Sequence, residues 1–255
     1  MTVCELYEKL SERYPTSLSC EWDNDGIMLS ADTEKTVSRV LVALDATSAA
    51  LEYAAKNGFD TVITHHPLIF RGIKSMTDRT AGGRRLVRAI SNGISVLSFH
   101  TRLDAACGGV NDSLCKALGY TAEEKFGDSD CPELCRIFTV EPTTARSFAS
   151  LVKERLGTPC VRINGDPEKT VRRVAVCGGD GKGLVMAALS AGADLFLTGD
   201  AGYNMAADAA EEGLVTLEAG HWHTEACVCV ALSDAVREIS GAECEIFDSC
   251  TYTAV

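Results

Sequence analysis

The sequence predicts an α/β fold of two similar lobes, each a mainly parallel sheet flanked by helices. Three observations predict it. Strand-like and helix-like segments alternate along most of the chain. The second half replays the order of the first, with local matches in register. A chain of 255 residues, 46% hydrophobic and 24% charged, has the length and composition for two lobes with real cores.

The elements follow in order. Thr2 and Glu5 are spaced as a capping box, and Val3, Leu6, Tyr7 and Leu10 share one helical face, so a helix is expected at the start rather than a signal peptide. Val37 to Asp45 is strand-like, and Thr47 to Asn57 is helical and closed by Gly58. Thr61 to His66 (TVITHH) is a second strand, Gly83 to Asn92 a helix ended by Gly93, and Ser95 to His100 (SVLSFH) a third strand. Val110 to Leu118 is a helix stopped by Gly119. A less repetitive stretch holds a strand (Arg136 to Val140), a helix (Ala145 to Leu156) and another short strand.

The order then repeats. Val171 to Cys177 is a strand, Leu184 to Ser190 a helix, Ala193 to Thr198 a strand, Ala206 to Glu212 a helix and Leu214 to Ala219 a strand. A helical stretch runs from Thr224 to Ile239. Gly58-Phe-Asp-Thr-Val-Ile-Thr-His-His matches Gly192-Ala-Asp-Leu-Phe-Leu-Thr-Gly-Asp in register. Gly93-Ile-Ser-Val-Leu-Ser-Phe-His matches Gly213-Leu-Val-Thr-Leu-Glu-Ala-Gly-His with one extra residue. The first lobe is expected over residues 1–124 and the second over 125–255, the latter including a connecting segment at about 125–168.

Composition excludes several functions. The net charge is -12, and the basic clusters Arg84-Arg85 and Arg172-Arg173 are too short to track a phosphate backbone, which argues against nucleic-acid binding. No apolar run approaches the roughly 18 residues that span a bilayer. A cytoplasmic location is expected. The 12 cysteines include no Cys-x-x-Cys pair and fall mostly in apolar segments, where they read as small buried hydrophobes.

The 5 histidines carry the chemistry. His65 and His66 end one strand. His100 ends the next, four residues before Asp104. His221 follows the corresponding strand of the second half, four residues before Glu225, with His223 between them. Each half thus supplies a strand followed by His-x-x-x-acid, at the strand ends where α/β sheets bind ligands. Imidazole with carboxylate suits borderline divalent metals: Zn, Mn, Fe, Co or Ni. Adjacent histidines on a continuing strand would point to opposite faces. A metal pair, or a twist at the strand end, removes that objection. The repeat places the site between the lobes.

Ile63-Thr-His-His-Pro-Leu-Ile-Phe70, His100-Thr-Arg-Leu-Asp104, Gly109-Val-Asn-Asp112 and Gly220-His-Trp-His-Thr-Glu225 resemble the signatures of the NIF-three-like family, whose bacterial members are commonly called GTP cyclohydrolase I type 2 homologues. Glu21-Trp-Asp-Asn24, Leu44-Asp45, Gly178-Gly-Asp-Gly181 and Thr198-Gly-Asp200 match in order, so the resemblance covers nearly the whole chain. It implies a dinuclear centre with two divalent ions per chain, held by His65, His66, Asp104, His221 and Glu225, with Glu225 as the bridge and His100 close by. It also implies a toroidal homohexamer and a nucleotide or related small molecule as substrate, opened by hydrolysis. The alternative is a non-enzymatic protein that uses the same cage for metal storage or regulation.

The sequence departs from the family pattern at Asn204, where a His usually follows Tyr203, at the extra His223, and at Asp25, where a small apolar residue is usual. Asp45 and Asp200 read either as partners that orient ligand imidazoles or as helix N-caps. The run Gly178 to Gly183 reads either as a phosphate-contacting loop or as a tight turn, and Gly183 rules out a P-loop by standing where Ser or Thr follows the Lys.

Overall fold

The computed structural model describes residues 1–251 and 253. In chain order the N-terminal part contains α1 (Val3–Arg13), β1 (Gly26–Leu29), β2 (Arg39–Ala43), α2 (Ser48–Lys56), β3 (Thr61–Thr64), α3 (Ala81–Ser91), β4 (Ser95–Ser98), α4 (Thr101–Ala105) and α5 (Val110–Ala117). There follow β5 (Glu124–Phe126), β6 (Cys135–Thr144), α6 (Ala145–Leu156), β7 (Arg162–Asn164), β8 (Thr170–Asp180), α7 (Val185–Ser190), β9 (Leu195–Asp200) and α8 (Tyr203–Glu211). The chain ends with β10 (Val215–Glu218), α9 (His221–Glu225), α10 (Val228–Ser240) and β11 (Glu243–Phe247). No helix among the described residues is long and apolar enough to cross a membrane.

The chain forms two compact units. One is Met1–Leu103 with the C-terminal stretch from Cys229, the other is Asp104–Val228. This division differs from the one read at residue 124, for two reasons of packing. In α5, Leu114 and Cys115, with Leu118 just beyond, bury against Phe138 and Phe148, which ties residues 104–124 to the second unit. At the other end, β11 pairs in parallel with β2, so the C-terminus completes the first sheet.

The first unit has a five-stranded sheet among the described residues, in the order β1-β4-β3-β2-β11. All neighbours are parallel except β1 with β4. Its helices begin as the sequence indicates. The Thr2 hydroxyl accepts from Glu5 N at 3.2 Å and the Glu5 carboxylate accepts from Thr2 N at 2.8 Å, closing the capping box of α1. Thr47 caps α2 through Ala50 N. Leu41, Leu51, Phe59, Val62, Ile94 and Val96 form a core on one face of the sheet.

The second unit has a six-stranded sheet among the described residues, in the order β5-β6-β8-β9-β10-β7. Only β8, β9 and β10 run parallel; β5, β6 and β7 add antiparallel edges, so this sheet is mixed. Both faces are covered. Val174 and Val176 pack with Phe138 and Phe148, while the alternate residues Ala175 and Cys177 pack with Phe126 and Phe196.

The internal repeat is a repeat of bonds as well as letters. Asp60 accepts from Ser38 N at 2.8 Å and Arg39 N at 3.0 Å. Asp194 accepts from Arg172 N and Arg173 N, both at 2.9 Å. Each aspartate stitches its own strand start to the strand before it. The equivalence runs to the strand ends, where Phe99 N donates to Thr64 O and Ala219 N donates to Thr198 O.

Cys115, Cys135, Cys177 and Cys244 are buried free thiols and fit the hydrophobe reading. Burial pushes the Cys115 thiol up to about 12, so it stays protonated and inert. Cys107 and Cys160 are free but exposed and do not fit it.

Candidate metal centre

In the first unit, β3 stops at Thr64 and the chain turns. The Thr64 hydroxyl donates to His66 O at 2.7 Å and the Ser98 hydroxyl to the same oxygen at 3.2 Å. Because the strand has ended, the two neighbouring rings do not splay to opposite faces. The His65 and His66 centroids are 4.8 Å apart, and the His100 ring lies 5.3 Å from His65 and 5.8 Å from His66. One ring nitrogen from each of the three falls within 4.8 Å of the others.

Each of these rings is oriented by an acceptor at Nδ1. His65 donates to Phe99 O at 3.0 Å, His66 to Asp45 Oδ1 at 2.9 Å and His100 to Asp23 Oδ1 at 2.7 Å. An oxygen at Nδ1 fixes the proton there and directs the Nε2 lone pair outward, the arrangement of metal-ligating histidines. Asp45 is therefore an orienting partner. The cap of α2 is Thr47, two residues on, so the cap reading of Asp45 fails.

Sequence reading singled out Asp23 only as part of a motif. Burial raises its pKa, but bonds from His100 and Thr101 and the attraction of His100 outweigh that and hold the carboxyl well below the usual range. Thr101 contributes both its N–H at 2.9 Å and its hydroxyl at 2.6 Å. The sign of the pH effect follows. A depressed folded pKa gives stability that is fully present above the unfolded value of about 3.9 and lost as pH falls below it. The Asp23→Asn variant is expected to lose stability at pH 7 and to show a flatter acid limb between about pH 4 and pH 2, measured by urea unfolding across that range.

Asp25, which departs from the family pattern, is satisfied by a buried partner. Arg102 donates to it through Nε at 2.7 Å and Nη2 at 3.1 Å. Asp25 also accepts from His100 N at 3.3 Å, so the pair steadies the backbone of a candidate ligand.

In the second unit, Gly220 at φ 89° turns the chain into α9, which carries His221 and Glu225 on one face. His221 Nδ1 donates to Asp200 Oδ2 at 2.8 Å, and His221 Nε2 lies 3.2 Å from Glu225 Oε2. Asp200 has the same orienting role as Asp45. The first turn of α8 follows Gly202 and has no side-chain cap, so Asp200 is not a cap either.

Two glycines make room for this arm. A Cβ on Gly179, which has φ +68°, would sit 1.9 Å from Glu225 Oε1 and 3.1 Å from His221 Nε2. A Cβ on Gly178 would approach Val110 to 2.9 Å and Glu225 Cγ to 3.2 Å. Four amides of the run are already used. Gly178 N donates to Asn111 Oδ1, Gly179 N to Thr224 Oγ1, Gly181 N to Asp200 O and Lys182 N to Asp180 Oδ1. These bonds take the donors that a phosphate cradle would need and favour the tight-turn reading.

Asp104 is buried in the second unit. Its carbonyl accepts from Asn111 Nδ2 at 3.3 Å, so Asn111 links the Asp104 segment to Gly178. The buried Arg136 donates to Ala105 O at 2.8 Å, to Ala106 O at 3.0 Å and to Asp112 Oδ1 at 2.6 Å. These roles of Asn111 and Arg136 join residues far apart in the chain, and spacing does not reveal them. The extra His223 is half-buried, edge-on to Trp222 at 5.2 Å, and burial lowers its pKa. Tyr203 and Asn204 are exposed at the start of α8.

The donor set fits a divalent ion. Within the first unit three oriented imidazoles converge, and within the second an imidazole and two buried carboxylates are present; each set consists of borderline-to-hard ligands that suit first-row divalent metals. The Gly179 cradle keeps a side chain out of the space beside Glu225 and His221.

The chain is 31% identical over 253 residues to the "GTP cyclohydrolase 1 type 2 homolog" of Clostridium perfringens, covering 98% of this chain and 96% of that one. It is 31% identical over 236 residues to the "Protein NIF3 homolog" of Schizosaccharomyces pombe, covering 87% and 84%. Its fold is similar to that of a Bacillus cereus protein related to NIF3, with a TM-score of 0.89 at 24% identity over 100% of this chain and 98% of the other. The model of the Duf34/NIF3 (NGG1p interacting factor 3) family matches residues 1–254, and the chain belongs to that family.

Proposed function

We propose that this chain is a metal-dependent hydrolase acting on a nucleotide or related small molecule, and that His65, His66, His100, Asp104, His221 and Glu225 together hold two divalent ions. The observation that carries the reading is the shared orientation of four imidazoles. His65, His66, His100 and His221 each donate from Nδ1 to an oxygen, which prepares Nε2 as a ligand. A single such ring is common in proteins. Four in one chain, three of them on carboxylates, suit a metal centre better than a satisfied core. We further propose that the protein works in the cytoplasm as a homohexamer.

When bound, two divalent ions supply Lewis acidity and a water activated near neutral pH, which suits hydrolysis. The chain's own residues do the rest. Phe99 O, Asp45, Asp23 and Asp200 hold protons on Nδ1, while Gly178 and Gly179 leave space beside Glu225. The names of the relatives make GTP the first substrate to test.

The test is turnover by purified protein loaded with Mn, Zn or Co, against GTP, phosphoesters and cyclic amides. The expected result is hydrolysis of at least one class, lost in Glu225→Ala. Asn204, in place of the usual His, favours a second reading as a non-enzymatic metal store or regulator. Full metal content without turnover across the panel would select that reading.

A further inference from the structure

The second unit contains a cleft of about 500 Å³, large enough for a small organic molecule. Its walls are the edge strand β7 (Arg162 and Asn164), the ends of β9 (Asp200) and β10 (Glu218), and the start of α8 (Gly202 and Tyr203). We propose that this cleft binds the protonated amino group of a small ligand, with the ligand's body against Tyr203.

The internal repeat picks out Glu218. By the register of the two halves it corresponds to Ser98, and Ala201 corresponds to Pro67. In the first unit the Ser98 hydroxyl is buried and bonded to Thr64 and His66 O. The second unit has a carboxylate at this place, with a side chain only 8% exposed. A carboxylate is far more expensive to bury than a hydroxyl. The aspartates that serve folding, Asp60 and Asp194, are kept alike in both halves, whereas this position differs. Part of the difference is local, since Ala201 N donates to Glu218 where Pro67 has no N–H to offer; the carboxylate also lines the cleft and adds its charge there.

Glu218 Oε1 accepts from Ala201 N at 2.9 Å and forms an ion pair with Arg162 Nη2 at 3.0 Å. The charged groups lining the cleft are two carboxylates and one guanidinium, and because Arg162 and Glu218 pair with each other the balance is one negative charge. An anion entering would meet Arg162 together with the two carboxylates, which outnumber it. A cation is attracted by the carboxylates. Tyr203, 80% exposed at the cleft's rim, adds a ring face of the kind that holds ammonium groups.

The cleft shares Asp200 with His221 but needs no metal for this recognition. The inference therefore stands or falls apart from the hydrolase reading.

The test is a set of near-isosteric probes, benzylamine, benzyl alcohol and benzoate, titrated into ¹⁵N-labelled protein and followed by amide shifts. Metal content is measured on the same samples. Benzylamine is expected to bind with a Kd on the order of 1 mM, shifting amides at 162–164 and 200–203, with benzyl alcohol and benzoate about tenfold weaker. Tyr203→Ala and Glu218→Gln should each weaken benzylamine about fivefold with unchanged circular dichroism, since the amide oxygen introduced by Glu218→Gln can still accept from Ala201 N. Arg162→Ala removes the competing cation and should tighten it severalfold. Benzoate binding as tightly as benzylamine, shifts mapping elsewhere, or no saturation by about 20 mM would each overturn the proposal. Guanosine bound in the cleft more tightly than benzylamine would overturn it too, in favour of a neutral base site. Loss of metal binding with benzylamine binding intact would count against the hydrolase reading alone.

Discussion

Gly179→Ala should strip the protein of metal. The new methyl group would lie 1.9 Å from Glu225 Oε1, well inside any real contact, and within 3.1 Å of His221 Nε2. Glu225 or the backbone must move. The left-handed backbone, at φ +68°, adds about 1–2 kcal/mol of strain for any L side chain. Metal affinity is expected to fall about 100-fold, read by titration with a competing chelator. Gly183→Ala is the control. It lies in the same glycine-rich run, but its Cβ would meet nothing within 4 Å, so affinity and stability should change little. Equal losses in both variants would mean that the run acts through backbone flexibility and that the cradle is not the cause.

Arg102→Ala should produce the largest loss of stability. The guanidinium is fully buried, pairs with an Asp25 side chain that is 8% exposed, and lies 4.6 Å above the Phe99 ring. Ser11 Oγ and Tyr14 O accept further bonds from Nη1 at 3.2 and 3.3 Å. Removing it leaves Asp25 buried without its counter-charge, which costs about 3–5 kcal/mol, or a fall of roughly 6–20 °C in Tm. The double variant Asp25→Ala, Arg102→Met should recover much of that loss, because no lone charge remains. A double variant no better than Arg102→Ala alone would mean that the loss comes from packing over Phe99 and Tyr7. Because Asp25 also accepts from His100 N, the single variant should weaken metal binding as well.

What could be read from the sequence divides along the range of the interactions. Alternating segments and in-register repeats depend on neighbours, and the two α/β sheets followed from them. The His-x-x-x-acid arm on α9 was legible because i and i+4 share a helix face. The domain boundary was not, since β11 returns to β2 from the far end of the chain and nothing local in Glu243–Phe247 marks its partner. The strand at Arg136 to Val140 and the short strand after Leu156 were legible, but the antiparallel direction of β6 and β7, and β5 itself, were not, because direction is a property of pairing. At the site, ligand types were visible and their supports were not. Asp23 reaches His100, and Asn111 reaches Gly178, over separations that no spacing rule covers. Asp45 and Asp200 stood open between cap and partner until the structure showed Thr47 capping α2 and both aspartates bonded to imidazoles.

The central claim is that six side chains hold two divalent ions. The direct measurement is metal content by inductively coupled plasma mass spectrometry, after loading apo-protein with Zn or Mn and removing excess by gel filtration. The account predicts two ions per chain, falling to one or none in Glu225→Gln with the fold retained by circular dichroism. Less than one ion per loaded wild-type chain, or full content in Glu225→Gln, would contradict it.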